Sequence, residues 1–389
     1  MSADLVYLDY AATTPVAPEA AARMTECLTL GGTFGNPGST SHAYGEEASA
    51  RIEAARAQVA AAVGAQAVEV VFTSGATEAN NLAIFGTAEY YKGAGRHIVT
   101  ARTEHKSVLD PCKELERRGW SVTYLAPGTD GALEPARVAA AVRPDTVLVS
   151  IMHVNNETGV IADVGAIAAL CARAGSARIH VDAAQSVGKC AVDFAAFGVD
   201  LLSVSAHKAY GPKGAGALLV SRRRGAQLMP ILQGGGQEGG LRSGTVATHQ
   251  VVGMGAAFEL ASVVRESEHG RIAALGERLW EALRAVGGVL RNGAAAARVP
   301  HLLNVSFEGV EGESLLAAVR SHIAVSTGSA CTSATQEASY VLRALGRDDR
   351  LAESSLRFSF GRFTSEADVD RAAAVVTGAV ERLRRIAGT

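Results

Sequence analysis

The sequence lacks the parts from which several classes of protein are built. Its 389 residues include five cysteines, Cys27, Cys112, Cys171, Cys190 and Cys331. They are odd in number, widely spaced and contain no CxxC pair, so neither a disulfide framework nor a zinc site is indicated. No uncharged apolar run is long enough to cross a bilayer, and the opening MSADLVYLDY has neither the basic start nor the apolar stretch of a secretory signal. A cytoplasmic chain is expected. An excess of one charge is also missing. The 37 Lys and Arg against 39 Asp and Glu leave a net charge of −2, which gives no reason to expect a nucleic-acid surface. The short run SRRRG (221–225) reads as a solvated turn. There is no GxxxxGK[ST] loop, and no GxGxxG fingerprint opens a helix. Lysine is scarce: of the 37 basic residues only Lys92, Lys106, Lys113, Lys189, Lys208 and Lys213 are lysine. Arginine stays charged and cannot act as a nucleophile, so a lysine kept among so many arginines is a candidate for amine chemistry.

What is present points to a folded α/β protein. Hydrophobic residues make up 48% and charged residues 20% of the chain, enough for a sizeable core. Between residues 68 and 220, short β-branched runs alternate with alanine-rich stretches. The strand candidates are 68–73, 97–101, 121–126, 146–152, 177–182, 200–205 and 216–220. Several are apolar throughout, as expected for strands buried on both faces of a largely parallel sheet. Helical stretches such as 164–175 lie between some of them. From about 262 onward long helices dominate, at 271–286 and 365–386, with Ser365 and Asp368 at capping-box spacing. This segment reads as a smaller α+β domain.

In an open parallel sheet, ligands bind beyond the carboxyl ends of the strands. The unusual polar residues fall there. Strand 68–73 leads to SGATEANN, 97–101 to TEHKS with His105, and 146–152 to HVNNETG with Asn156. Strand 177–182 ends at Asp182 with Gln185 beyond, and 200–205 runs into Ser205, His207 and Lys208. Gly75, Ala76 and Thr77 open a helix, whose free N–H groups and dipole suit a phosphate. Asp182, at a buried strand end, needs a positive partner, and a protonated ring nitrogen is one. Pyridoxal phosphate requires a phosphate seat, an acid for its ring nitrogen and a lysine. The helix start, Asp182 and Lys208 supply all three, with His105 placed to stack on the ring or to shuttle protons. Taken singly, each residue has a plainer explanation: a helix cap for Asp182, a core histidine for His105, a surface lysine for Lys208.

The motifs together resemble the cysteine desulfurases, in the IscS-type branch of the NifS-like family. They are YLDYAATTP (7–15), GTFGNPGSTSH (32–42), FTSGATEANN (72–81), TEHKSVL (103–109), IMHVNNETG (151–159), HVDAAQSVGK (180–189), SAHKAYGPKG (205–214), RSGT (242–245), NVSFEGVEGESLL (304–316), STGSACTSA (326–334) and SSLRFSFGRFT (354–364). The resemblance runs from about residue 7 to 386. It implies an α/β fold of the aspartate-aminotransferase type, fold type I, with pyridoxal 5'-phosphate as cofactor and a homodimeric assembly. Residues 15–261 would form the large cofactor-binding domain with the mainly parallel sheet. Residues 1–14 and 262–389 would form the small α+β domain carrying Cys331.

By motif position, Lys208 is the Schiff-base lysine, and His105 stacks on the cofactor ring and moves protons. Asp182 pairs with the ring nitrogen and Gln185 with the phenolate oxygen. Ala76, Thr77, Ser205 and His207 hold the phosphate, helped by Thr245 from the other subunit. Asn156 and Arg357 face the substrate carboxylate, a role that the arginine fork suits. Cys331 is the sulfur acceptor. It stands in VSTGSACTSATQ (325–336), whose small residues favour a surface loop. Without the resemblance, an inert small residue would be the simpler account of Cys331. The other four cysteines read as structural.

The implied activity converts L-cysteine to L-alanine with sulfur passed to Cys331 as a persulfide, for iron–sulfur cluster assembly and other acceptors. No intrinsic metal is expected, and Cys331 is a candidate iron–sulfur ligand shared with a scaffold partner. The competing readings are a selenocysteine lyase and a non-catalytic assembly platform. Two positions depart from the family: Gly239 stands where arginine is usual, and Gln237 where histidine is frequent. The chain also reaches Thr389 soon after its last predicted helix, without the tail by which IscS-type members dock a scaffold, so that docking mode is not expected.

Overall fold

The computed structural model describes residues 5–293, 297–327 and 338–388. A short strand, β1 (Val6–Tyr7), precedes the seven strands of the main sheet. These are β2 (Val70–Thr73), β3 (His97–Ala101), β4 (Ser121–Leu125), β5 (Thr146–Met152), β6 (Arg178–Asp182), β7 (Leu201–Ser205) and β8 (Gly216–Val220). Their spatial order is β2-β8-β7-β6-β5-β3-β4. The pairs β3–β4, β3–β5, β5–β6 and β6–β7 are parallel, whereas β8 runs antiparallel to both β7 and β2. Six of the seven strands therefore share one direction. The mainly parallel sheet read from the sequence is present, with each strand within about two residues of its expected bounds.

Both faces of this sheet are covered, which is why its strands are apolar without alternation. On one side Val149, Ile151, Ile179 and Val181 pack with Val164, Ile167 and Cys171 of the helix Val164–Ala174. On the other, Ile98 and Leu148 pack with Ile84 of the helix Ala76–Tyr91 and Val108 and Cys112 of the helix Lys106–Arg117. The edge strand β4 is the exception and stays partly exposed.

The second core surrounds β9 (Val289–Arg291), β10 (Leu302–Phe307) and β12 (Ser355–Ser359), antiparallel in the order β12-β10-β9, while β11 (Ile323–Ala324) pairs in parallel with β1. The helix Glu366–Ala387 backs it with Val369, Ala372, Val376 and Val380. That helix begins at the expected capping box, in which Ser365 and Asp368 each satisfy the other's backbone N–H.

One helix differs from its sequence pattern. The stretch expected at 271–286 is the second half of a 37-residue helix, Thr248–Arg284. Its first half gives Val251, Val252, Met254 and Phe258 to the main core, and its second half gives Ile272, Leu275, Leu279 and Leu283 to the other. Glycines weaken helix propensity here but are used for contact: a Cβ on Gly253 would lie 2.5 Å from Met24 Cγ, and one on Gly255 2.9 Å from Ala55 Cα. The boundary expected near residue 262 lies inside this helix.

Candidate active site

A cleft of about 500 Å³ opens where β2, β3, β5, β6 and β7 end. Its walls include Ala76, Thr77, His105, Asn156, Asp182, Gln185, Ser205, His207 and Lys208. Nine residues scattered over 133 positions of sequence are thus brought to one place by the shared direction of the strands. Antiparallel β8 begins at the same edge, where Gly216 touches Gly75 so closely that a Cβ on it would lie 2.6 Å from Gly75 Cα.

The helix start expected to seat a phosphate is open. Gly75, at φ +146°, turns the chain into the helix Ala76–Tyr91, and no side chain caps that end. Ser205 Oγ faces this region buried and without a protein partner. Such a hydroxyl is costly to leave unbonded, and an anionic oxygen would complete it. His207 is fixed by Thr13, whose Oγ1 lies 3.2 Å from its Nδ1. Burial first, then Lys208, Lys213 and Lys189, push this imidazole down to about 4, so it stays neutral.

Asp182 and His105 belong to one hydrogen-bonded chain. The Asp182 carboxylate accepts from Ala184 N–H at 2.9 Å and from Asn80 Nδ2 at 2.8 Å. Asn80 Nδ2 also donates to Ser107 Oγ at 2.8 Å, and Ser107 Oγ lies 2.8 Å from His105 Nδ1. Ser107 N–H donates to that same nitrogen at 3.1 Å, which leaves Nε2 as the protonated nitrogen of a neutral ring. Burial, then the Lys208 charge, lowers the basicity of His105. Asn80 and Ser107 stand inside motifs quoted above but were not assigned a role. A buried asparagine in an alanine-rich helix was the available signal.

Lys208 ends the short 3₁₀ turn Ala206–Lys208 that follows β7, and it borders the cleft. Two residues on, Tyr210 adopts φ +63°, a strained conformation for a bulky residue. Thr14 Oγ1 accepts from its N–H at 2.8 Å, and its hydroxyl accepts from Arg362 N–H. The N-terminal YLDYAATTP segment thus braces the lysine turn. Gln185 donates through Nε2 to Ala11 O at 2.7 Å and accepts from Lys189 Nζ through Oε1.

Asn156 and Arg357 meet at the other end. Arg357, on β12, is buried and does not itself line the cleft. It donates to Asn156 O at 2.9 Å and to Asp9 Oδ1 at 2.8 Å. Arg357 Nε and Asn156 Oδ1 are buried without partners. Burial raises the Asp9 carboxyl despite the opposing arginine. Cys331 lies outside the described residues. The described residues on either side attach at this end: Ser326 pairs through its backbone with Arg357, and Ser339 Oγ donates to Glu157 at 2.5 Å. Burial pushes Glu157 up to about 7, against the pull of Ser339 and Arg357.

Thr245 stands apart. It lines a separate cavity with Arg56, Gln237 and Glu238. Gly239 has open space where a Cβ would be, and Gln237 Oε1 accepts from Gly244 N–H at 2.8 Å. Burial raises the thiols of Cys112, to about 12, and of Cys171 and Cys190, to about 11, which disfavours the reactive thiolate. Among the described residues, no cluster of three or more His, Cys, Asp or Glu could hold a metal, and no helix is long and apolar enough to cross a membrane.

Residues 6–372 match the family model of the class-V aminotransferases. The chain belongs to this family of pyridoxal-phosphate-dependent enzymes. It is 56% identical over 381 residues to a protein of Azotobacter vinelandii named cysteine desulfurase IscS, covering 98% of this chain and 94% of that one. A protein of the same name from Pseudomonas aeruginosa is 54% identical with the same coverage. Among solved structures, a NifS-like protein superposes with TM-score 0.91 at 32% identity, covering 97% of this chain and all of its own. A second, SspA in complex with cysteine, gives TM-score 0.81 at 36% identity over 92% of this chain and 99% of that one. The residues present fit the cofactor: an uncapped helix start and an unpartnered Ser205 hydroxyl for its phosphate, and a fixed carboxylate at Asp182 for its ring nitrogen.

Proposed function

We propose that this cleft converts L-cysteine to L-alanine and passes the sulfur to Cys331 as a persulfide. The supporting observation is the convergence of Lys208, His105, Asp182 and Asn156 on one cleft, with Arg357 behind Asn156 and bonded to it. Similarity over nearly the whole chain to proteins named cysteine desulfurase IscS points to the same reaction.

Pyridoxal phosphate, when bound, supplies the electron sink that makes the substrate Cα–H acidic. The chain's own residues do the rest. Ala76, Thr77, Ser205 and His207 hold the phosphate, and Asp182 keeps the ring nitrogen protonated. Gln185 donates to the phenolate oxygen. Lys208 would be the residue that holds the cofactor through its amine and, once free, the base able to take a proton from the substrate. His105 covers the ring with a neutral imidazole able to relay protons through Nε2. Arg357 and Asn156 bind the substrate carboxylate, the guanidinium offering charge-assisted N–H groups.

The Cys331 thiolate attacks the substrate sulfur. A sulfur–sulfur bond forms as the substrate carbon–sulfur bond breaks, and Cβ takes up a proton to become the methyl group of alanine. The persulfide goes on to an iron–sulfur scaffold or another sulfur acceptor, with Cys331 a shared cluster ligand in the scaffold complex. A homodimer belongs to the same reading, because Thr245 lies outside its own chain's cleft and would serve the phosphate of a second copy; a cytoplasmic location is part of the reading as well. The small domain would comprise residues 1–14 with 262–389.

The test feeds the enzyme cysteine labelled with heavy sulfur. Alanine should be released, and mass spectrometry should find the label on the peptide containing Cys331. Cys331→Ala should still change the cofactor spectrum on adding cysteine, while alanine release falls more than about 100-fold. Desulfuration at the parental rate by Cys331→Ala would refute the reading.

A further inference from the structure

Lys189 lies on the turn that follows β6. Its N–H donates to Ser186 O at 3.0 Å, and Gly188 takes φ +76°, so the chain folds back and Lys189 Nζ reaches the Gln185 carboxamide oxygen. The side chain is buried, and among the described residues no carboxylate pairs with it. A buried ammonium bonded only to a neutral amide is expensive to maintain. Burial, with Lys208 adding to it, brings its basicity down to about 7.

The two partners of Gln185 agree on how its amide is turned. Lys189 is a donor and requires the oxygen, while Ala11 O is an acceptor and requires the nitrogen. The bond to Ala11 alone would let the amide pivot about one contact, whereas a second bond at the other end fixes its plane. Gln185 borders the cleft, and with Oε1 and one Nε2–H engaged, the second Nε2–H is the donor that it still has to offer.

We propose that Lys189 is a positioning residue for cofactor binding, holding Gln185 Oε1 so that Gln185 presents a fixed N–H to an anionic oxygen of the bound cofactor. This rests on the reading above, in which Gln185 donates to the phenolate oxygen. Lys189 itself does not line the cleft. Its replacement by methionine conserves volume and puts an apolar side chain in place of a buried amine, a change that the fold is expected to tolerate.

The experiment is a double-mutant cycle on Kd for pyridoxal phosphate, measured by absorbance titration, with the pH midpoint of the bound cofactor's visible band and the Tm of the cofactor-free chain alongside. Lys189→Met weakens cofactor binding roughly five- to tenfold, the loss of one aligned hydrogen bond, and shifts the band's pH midpoint while Tm holds or rises. Gln185→Ala weakens binding by a similar factor, and the double variant is no weaker than Gln185→Ala alone. Additive losses, or a lowered Tm with an unmoved band, overturn the inference. If Gln185→Ala leaves Kd unchanged, the Gln185 contact itself is wrong and the inference falls with it. If Gln185→Ala weakens binding but Lys189→Met does not, only the role of Lys189 fails. Should Lys189→Met not fold, Lys189→Gln, whose amide still donates, stays within about threefold of the parent Kd, and a tenfold loss overturns the inference.

Discussion

The two ends of the cleft are built differently. At the proposed cofactor end, Lys208, Asp182 and His105 follow strands β7, β6 and β3 of one sheet. Asp182 and His105 are joined through Asn80 and Ser107 by bonds of 2.8 Å. At the proposed carboxylate end, Arg357 comes from the second core and reaches residues 348 and 201 positions away, Asp9 and Asn156. There Arg357 Nε and Asn156 Oδ1 are left unpartnered. Each end keeps an unsatisfied buried group, Ser205 Oγ at the first and Arg357 Nε at the second, so the ends do not differ in saturation. They differ in origin: the first is assembled by one sheet and the helices that follow its strands, whereas the second joins a strand of the other core to loops of the first. In the proposed function Arg357 Nε–H is the donor free for an incoming carboxylate, while Asn156 Oδ1 is an acceptor.

The largest test of this contrast is Lys208→Ala. It should cut alanine formation by at least about 1,000-fold, and borohydride should trap the cofactor on Lys208 only in the parent. A trapped adduct on Lys213 or Lys106 would move the cofactor end elsewhere. Arg357→Gln probes the other end. It should raise KM for cysteine about 10- to 100-fold with a smaller change in kcat, because a charged donor to the substrate carboxylate is lost in ground and transition states alike. A fall in kcat at unchanged KM would erase the distinction drawn between the ends.

The pH profile sharpens the comparison. Burial and Lys208 lower the basicity of His105, so its neutral form persists to lower pH than for an ordinary histidine. The acid limb of kcat/KM assigned to His105 should therefore lie below pH ~6.5, and His105→Gln should abolish it. A limb above that value would mean that the imidazole is stabilised as a cation. The smallest effect serves as the control. Ser365→Ala, far from the cleft at a helix start, should cost about 1 kcal/mol of stability by denaturant titration and leave kcat unchanged.

Much of the cofactor end was legible because buried parallel strands announce themselves as apolar runs and their polar ends share an edge. His105, Asp182 and Lys208 each follow such a run. Asn80, Ser107, Lys189 and Asp9 escaped assignment because their roles depend on what lies opposite, not on spacing. The long helix Thr248–Arg284 was read from 271 onward, since its glycines depress propensity while their missing side chains admit Met24 and Ala55.

The sequence by itself determined the layered α/β class, the strands, the edge on which the chemistry falls and the residue types gathered there, because these follow from periodicity and from the common direction of parallel strands. Tertiary structure alone decided which of those residues are bonded to one another: Asn80 between Asp182 and Ser107, Lys189 on Gln185, Asp9 and Asn156 around Arg357. It also decided that Thr245 sits apart from its own chain's cleft. Hydrogen bonds act over about 3 Å, and no local pattern encodes which distant segments come that close; even Lys189 and Gln185, four positions apart, meet through the turn that follows β6.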